Sequence, residues 1–445
     1  MLLADAARTS STAQALTLPV GKLTTVEAIR VPLRKPLEGI GTEWAENNAL
    51  LGNISPVVGS GDTLVVAETD ARLIRAYNAR DGALRWTHLA GGRVSSSPTI
   101  YQGLVLFGSH DGTVTALSLA DGTLAWRFTA APARRQIMVT GQLESVWPVH
   151  GTILVVQDKI FVAAGRMNQV DGGVFLYRLH PHTGAMEANT VITYQATNED
   201  PPRPSISTAQ GKIADALSTN AAGTLVYMGP ICIEPKTLSW ANLGLIPRRQ
   251  GVADAKSPFR KGEFFWTKRP QIGWATPDLL SYIFAPTSGM IDRRVSFATK
   301  DMGGFRFMAT GSYQSGYSGL RMARMGRTLY AARGANLEAI DFNEQWLPVA
   351  EGTPDEIAAI RRNPARRLAT LPPSVTALAV SKDHIFVLGN EGNSSNLQIM
   401  DIKGTVLSTI KIKSRAVTYG LSIHQGSLWA TLEDGSVRRL DAASQ

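Results

Sequence analysis

Cysteine is almost absent from this chain, with Cys232 the single one in 445 residues. An intramolecular disulfide is therefore excluded, as is a zinc or iron–sulfur centre built from several thiolates. Charge is sparse too: 18% of residues are Asp, Glu, Lys or Arg, against roughly 25% in ordinary globular chains. Long apolar runs are missing, and no stretch reaches the about 18 residues a membrane-spanning helix needs. What is plentiful is glycine, 41 residues, beside 23 prolines and 44% apolar residues. Many short strands joined by tight turns fit that mixture, whereas intrinsic disorder and a coiled coil do not.

Lys and Arg total 45 against 36 Asp and Glu, a net charge of +9. The excess is dispersed in pairs such as Arg134-Arg135, Arg248-Arg249, Arg293-Arg294, Arg361-Arg362 and Arg366-Arg367. A basic balance suits anionic partners such as an acidic polysaccharide. No compact basic block interleaved with aromatics occurs, so a nucleic-acid partner is not expected. The opening residues, MLLADAARTSSTAQAL, lack the basic and apolar segments of a secretory signal. The expectation is that this start is truncated or that the chain is cytoplasmic.

An internal repeat organises the rest. Ala76–Trp86 reads AYNARDGALRW and Ala116–Trp126 reads ALSLADGTLAW. Fainter copies are YRLHPHTGAME from Tyr177, CIEPKTLSW from Cys232, LEAIDFNEQW from Leu337, LQIMDIKGTVL from Leu397 and VRRLDA from Val437. The two clear copies are each a strand, a tight turn whose glycine accepts positive φ, and a second strand ending in Trp, an outline the fainter copies keep in part. Another strand precedes each copy, as at Thr63–Ala67 and Leu104–Gly108, and SSPTIYQG supplies an innermost one. Four strands in about 40 residues make one propeller blade. The predicted fold is all-β: a β-propeller of four-stranded antiparallel blades, seven of them, with eight as the alternative if residues 241–326 hold another. Residues 1–55 form an N-terminal extension and residues 56–445 a single propeller domain. The last copy stops before its outer strand, so Thr24–Pro32 is predicted to supply that strand and close the ring. A helix is predicted from Thr353 to Arg362, opened by a Thr cap followed by proline.

The AxxxxDGxxxW unit resembles the pyrroloquinoline-quinone (PQQ)-like β-propeller family, which includes quinoprotein alcohol dehydrogenases and the BamB assembly lipoprotein. Trp126–Arg166 and the DGGVFLYRLHPHTG stretch after it carry the sharper likeness, to bacterial PQQ-like repeat proteins. The resemblance implies a periplasmic or extracellular place in the cell envelope. In the dehydrogenases it implies a quinone over a tryptophan floor, calcium, an Asp base and a vicinal disulfide. One cysteine excludes that disulfide, and no segment matches the metal-ligand or base motifs well enough to carry a residue over. The lipobox cysteine of BamB has no counterpart near this N-terminus.

The connection Ala131–Gly151 is long and dense in reactive side chains. Glu144 and His150 are the candidate acid/base pair, with Arg134, Arg135, Gln142 and Trp147 as candidate ligand-binding residues. The competing reading is a self-satisfied loop in which Glu144 pairs with an arginine and Trp147 is core. His110, like His88, His384 and His424, sits at a strand end or turn with no partner at ligand spacing. No metal site is expected. Gly303 to Gly319, interleaved with Phe305, Phe307, Tyr313 and Tyr317, reads as wall strands or an aromatic sugar-binding surface.

The leading expectation is a non-catalytic, monomeric binding scaffold for a protein or an anionic polysaccharide, without a cofactor. The alternative is a propeller enzyme, either a PQQ- and calcium-dependent oxidoreductase or a lyase or hydrolase of acidic polysaccharide.

Overall fold

The computed structural model describes residues 16–19, 22–33, 53–139, 141–168, 170–193, 217–219, 226–228, 231–242, 296–297, 305–306, 321–325, 328–341 and 366–442. These residues form seven four-stranded antiparallel sheets in which each strand bonds to its sequence neighbour, apart from the strand that closes the last one. Sheet 1 comprises Val58–Ser60, Thr63–Glu68, Leu73–Asn78 and Leu84–Leu89. Sheet 2 comprises Thr99–Tyr101, Leu104–Gly108, Thr113–Ser118 and Leu124–Thr129. Sheet 3 is Leu154–Val156, Lys159–Ala164, Val174–Leu179 and Met186–Ile192. Sheet 4 is Ser218–Thr219, Val226–Met228, Ile231–Ile233 and Trp240–Asn242. Sheet 5 is Arg321–Met325, Thr328–Arg333, Asn336–Asp341 and Arg366–Thr370. Sheet 6 runs from Val375–Val380 through His384–Glu391 and Ser394–Asp401 to Val406–Ile412. Sheet 7 holds Ala416–His424, Ser427–Leu432 and Ser436–Ala442.

The fourth strand of sheet 7 comes from the other end of the chain. Leu23–Arg30 pairs antiparallel with Ser436–Ala442, from Leu23 opposite Ala442 to Arg30 opposite Ser436. That is the place to which the repeat pattern assigns Thr24–Pro32. The seam continues beyond the ladder, where the Val31 amide donates to the Gly435 carbonyl at 2.8 Å. Arg438 donates from Nη2 to the Thr25 carbonyl at 2.6 Å.

Apolar cores lie between successive sheets rather than within them. One core joins sheets 1 and 2 through Val65, Ile74, Trp86, Val105 and Phe107. Another joins sheets 2 and 3 through Leu106, Trp126, Ile160 and Leu179. The same arrangement links sheets 3 and 4, 5 and 6, and 6 and 7. Ile29, Val31, Leu64, Tyr77, Trp429 and Val437 join sheet 7 back to sheet 1. Packing on both faces explains why Thr63–Glu68 is buried along its whole length. The outer strand Leu84–Leu89 buries only Trp86.

The repeat motif now has a physical meaning across neighbouring blades. A Cβ on Gly122 would lie 2.6 Å from the Trp86 ring, and one on Gly184 would lie 2.5 Å from Trp126. Both glycines also need positive φ, +73° and +66°. Trp86 donates from its indole nitrogen to the Leu119 carbonyl at 3.0 Å, and Trp126 to that of Pro181 at 2.8 Å. The glycine turn of one blade is thus cut to receive the tryptophan of the blade before it. Gly82 meets the backbone of Ala28 in the same way, so the N-terminal strand takes the outer-strand place at the seam.

Sheet 5 differs from its sequence reading. Trp346 is expected there in the outer strand, yet Asn336–Asp341 pairs with Arg366–Thr370. Pairing requires proximity in space only, so a long connection can intervene. Trp346, the helix expected at Thr353–Arg362 and the proline-rich stretch NEDPPRPS at 198–205, whose composition predicts a surface loop, fall outside the described residues. Most of the segment with room for an eighth blade and of the glycine–aromatic stretch does too, apart from a short pair, Ser296–Phe297 with Phe305–Arg306.

Candidate functional site

Antiparallel neighbours alternate in direction. In each sheet the loop between the second and third strands therefore opens at the same end as the connection leading to the next sheet. Three such segments converge here. They are residues 90–98 between sheets 1 and 2, residues 109–112 inside sheet 2, and residues 130–153 between sheets 2 and 3. The last carries a hairpin, Gln136–Val139 paired with Gln142–Ser145, turned through Gly141 at φ 74°.

Glu144 is the centre of the convergence. Its side chain is 1% exposed, and both carboxylate oxygens are engaged. His110 Nδ1 lies 2.7 Å from Oε1. Arg166 Nη2 donates to Oε2 at 2.9 Å, and Arg93 Nη1 lies 3.8 Å from Oε1. Arg166 also donates to the carbonyls of Ser145 at 3.1 Å and Val146 at 2.9 Å. Arg93 pairs with Asp70 from the sheet 1 loop. Burial pushes the Glu144 carboxyl up, but the His110 hydrogen bond and the charges of His110, Arg166 and Arg93 outweigh it, so its pKa sits below the usual value. The carboxylate is consequently an acceptor only, and Nδ1 of His110 is the donor.

Beyond His110, the Ser95 hydroxyl lies 2.8 Å from Nε2. Ser95, His110 and Glu144 thus have the connectivity of a nucleophile, a base and an orienting acid. Their exposures are 3%, 1% and 1%. Ser95 is thus nearly closed off from solvent, and the three side chains join three loops.

The residues singled out from the sequence separate into two groups. Glu144 is in the cluster, but its hydrogen-bonded histidine is His110, contrary to the expectation that His110 lacks a partner. His150 lies edge-on to His110, with ring centroids 4.1 Å apart. Arg134 and Arg135 are exposed on the approach to the hairpin. The arginines on Glu144 are Arg166 and Arg93, because strand direction brings their loops to this end. Gln142 donates to the Asp70 carbonyl at 3.2 Å, holding the hairpin to sheet 1. Trp147 is packed in the core between sheets 2 and 3 and donates to the Asp171 carbonyl at 2.7 Å. His110, Arg93, Arg166 and Ser95 were missed. His110-Asp111-Gly112 does read as a hairpin turn, and counting strand directions would place it at the same end as Ala131–Gly151.

The donor atoms of His110, Glu144 and His150 lie within 4.8 Å of one another, the reach of one metal ion. A divalent cation there would have to displace the His110 and Arg166 bonds and sit beside two guanidinium charges. Calcium prefers six to eight oxygen ligands, and this set offers a single carboxylate among imidazoles and guanidiniums. Trp86 and Trp126 serve as inter-blade plugs, not as a floor for a flat ring. These residues do not fit a quinone–calcium pair.

Residues 35–213 match the family model described as outer membrane protein assembly factor BamB. The BamB of Moranella endobia is 28% identical over 148 residues, 33% of this chain and 36% of that protein. The BamB of Yersinia pestis is 29% identical over 85 residues, 18% of this chain and 22% of that one. The match therefore spans little more than a third of the curated relatives' length at most. Among solved structures, a quinohemoprotein alcohol dehydrogenase of Pseudomonas putida HK5 superposes with a TM-score of 0.54 at 10% identity. That alignment covers 99% of this chain and 79% of the other, a likeness of fold alone.

Proposed function

We propose a scaffold function from one premise: the chain is a PQQ-like, BamB-like β-propeller repeat protein. Its role is to bind protein in the bacterial cell envelope, in the assembly of outer-membrane proteins, without catalysing a reaction. The observation that carries this reading is the state of Glu144. A general acid or base must reach a substrate proton, whereas Glu144 is 1% exposed with its oxygens bonded to His110 and Arg166. The group that most resembles catalytic machinery is spent on holding loops together at one end of the propeller. The relatives named as outer membrane protein assembly factors support the envelope role.

The alternative of a lyase or hydrolase for acidic polysaccharide required Glu144, His150, Arg134 and Arg135 to share an open site. The two exposed arginines are not part of the cluster, so its geometry lends that alternative no support.

The test is genetic. Deleting the gene in the parent bacterium should lower the amount of β-barrel protein in the outer membrane, and the wild-type gene should restore it. Unchanged barrel protein after deletion would overturn the assembly role.

A further inference from the structure

The hairpin held by Glu144 has one edge occupied and, among the described residues, no ladder partner on the other. On the inner edge, the Ser145 amide donates to the His110 carbonyl at 2.8 Å. The Val146 amide donates to the Arg135 carbonyl at 2.9 Å, which sets the alternation of the ladder. Ile137 with Glu144 and Val139 with Gln142 are then hydrogen-bonded pairs, while Gln136 and Met138 direct their backbone groups outward. Among the described residues, Gln136–Val139 has a ladder partner on one side only.

The faces differ as well. Glu144 and Gln142 point into the propeller, so Met138 and Leu143, directly opposite each other, point out. Met138 is 66% exposed and Leu143 60%. Natural proteins usually protect a bare edge with lysine, proline or a bulge, because it invites pairing with another chain. Gln136-Ile137-Met138-Val139 has none of these. Exposed Arg134 and Arg135 stand at its N-terminal end.

The geometry points to strand addition: an extended segment of a partner protein pairs with Gln136–Val139. An apolar side chain of that segment covers Met138 and Leu143, and an acidic residue faces Arg134 and Arg135. Main-chain bonds supply affinity in this mode, and alternate side chains supply selectivity. The arginines choose the charge of the occupant, since a basic segment would meet like charge. The inference rests on the protein-binding reading above and names the partner's chemistry.

The test uses the full chain and blocked octapeptides of alternating Val and Thr. One carries two Glu at its C-terminal end, one carries two Glu at its N-terminal end, and a third carries two Lys. One of the Glu peptides should bind, with the Lys peptide at least tenfold weaker, and should slow exchange of the Gln136 and Met138 amides. Met138→Asp should weaken binding at least tenfold, as should the double change Arg134→Glu and Arg135→Glu, which should also flatten its salt dependence. Met138→Pro removes an outward N–H but no ladder bond, so it should abolish binding while the melt stays near wild type. Equal binding of the Lys peptide, binding without protection of those amides, or no binding of either Glu peptide would overturn the inference. If the peptides fail while gene deletion still lowers barrel protein, the scaffold role stands and strand addition at this edge falls. If the peptides bind while deletion has no effect, the assembly role falls and the edge stands.

Discussion

Gly122 faces the indole of Trp86 so closely that an added methyl carbon would lie 2.6 Å from the ring. Both residues belong to the same motif, but to different copies of it, in sheets 1 and 2. The motif is therefore a specification of the blade interface, with Trp86 on one side and the glycine turn on the other. Gly122→Ala should be destabilising on two grounds, the positive φ and the clash. A loss of about 2 kcal/mol or more is expected from strain and overpacking together. Gly61→Ala is the control, since it shares a positive φ but has open space around it, and it should cost less. Chemical denaturation of the two variants checks the ordering.

Ring closure is the second expectation. Ile29 is 2% exposed in the core joining sheets 7 and 1. Ile29→Ala should cost about 2–4 kcal/mol, as for other large-to-small core changes. Removing residues 1–35 should lower the unfolding temperature further, because the edge of Ser436–Ala442 and the Gly82 contact are lost together. An unchanged melt after that truncation would mean that Leu23–Arg30 is dispensable.

Glu144 sets the third. Removing a buried carboxylate leaves Arg166, Arg93 and His110 facing one another without compensation. Glu144→Ala should then destabilise by about 3 kcal/mol, the lower part of the range for breaking a buried ion pair, because Arg166 is partly exposed. Replacing both Glu144 and Arg166 should cost less than the sum of the single changes, which a double-mutant cycle measures.

Acid sensitivity is the fourth. The folded-state pKa of Glu144 lies below its ordinary value of 4.5, despite burial, because His110, Arg166 and Arg93 favour the charged form. A depressed pKa contributes stability that is complete above the unfolded value and is lost as pH falls through the folded one. Stability should therefore begin to fall near pH 4.5 and keep falling below it. Asp434 adds to the same trend: burial raises its pKa, but bonds from Ser436 and Arg30 more than offset that. Glu144→Gln should flatten the acid limb in part, and the difference between the two curves isolates Glu144.

The blades were legible because their signals are local. Asp81-Gly82 and Trp86 lie within a few residues of each other, and the truncated copy at Val437–Ala442 showed that a strand was owed from elsewhere. Sheet 5 was less legible, since the distance along the chain from Asp341 to Arg366 has no fixed relation to pairing. The site was only half legible. Glu144 stood out by the density of polar residues around it, but His110 is 34 positions away and Arg166 is 22. Which loops meet depends on strand direction and blade order, and nothing in the local composition around Arg166 or Arg93 records that. Arg135 does lie across the hairpin from Val146, but the arginines paired with Glu144 are Arg166 and Arg93.

The central claim is that the Glu144 cluster holds the Gln136–Ser145 hairpin in place. Amide hydrogen exchange of wild type and Glu144→Gln tests it most directly. The account predicts faster exchange over Gln136–Ser145, by at least tenfold at Ser145, with Val65, Leu106 and Val162 in the blade strands unchanged. Unaltered protection of the hairpin would contradict it.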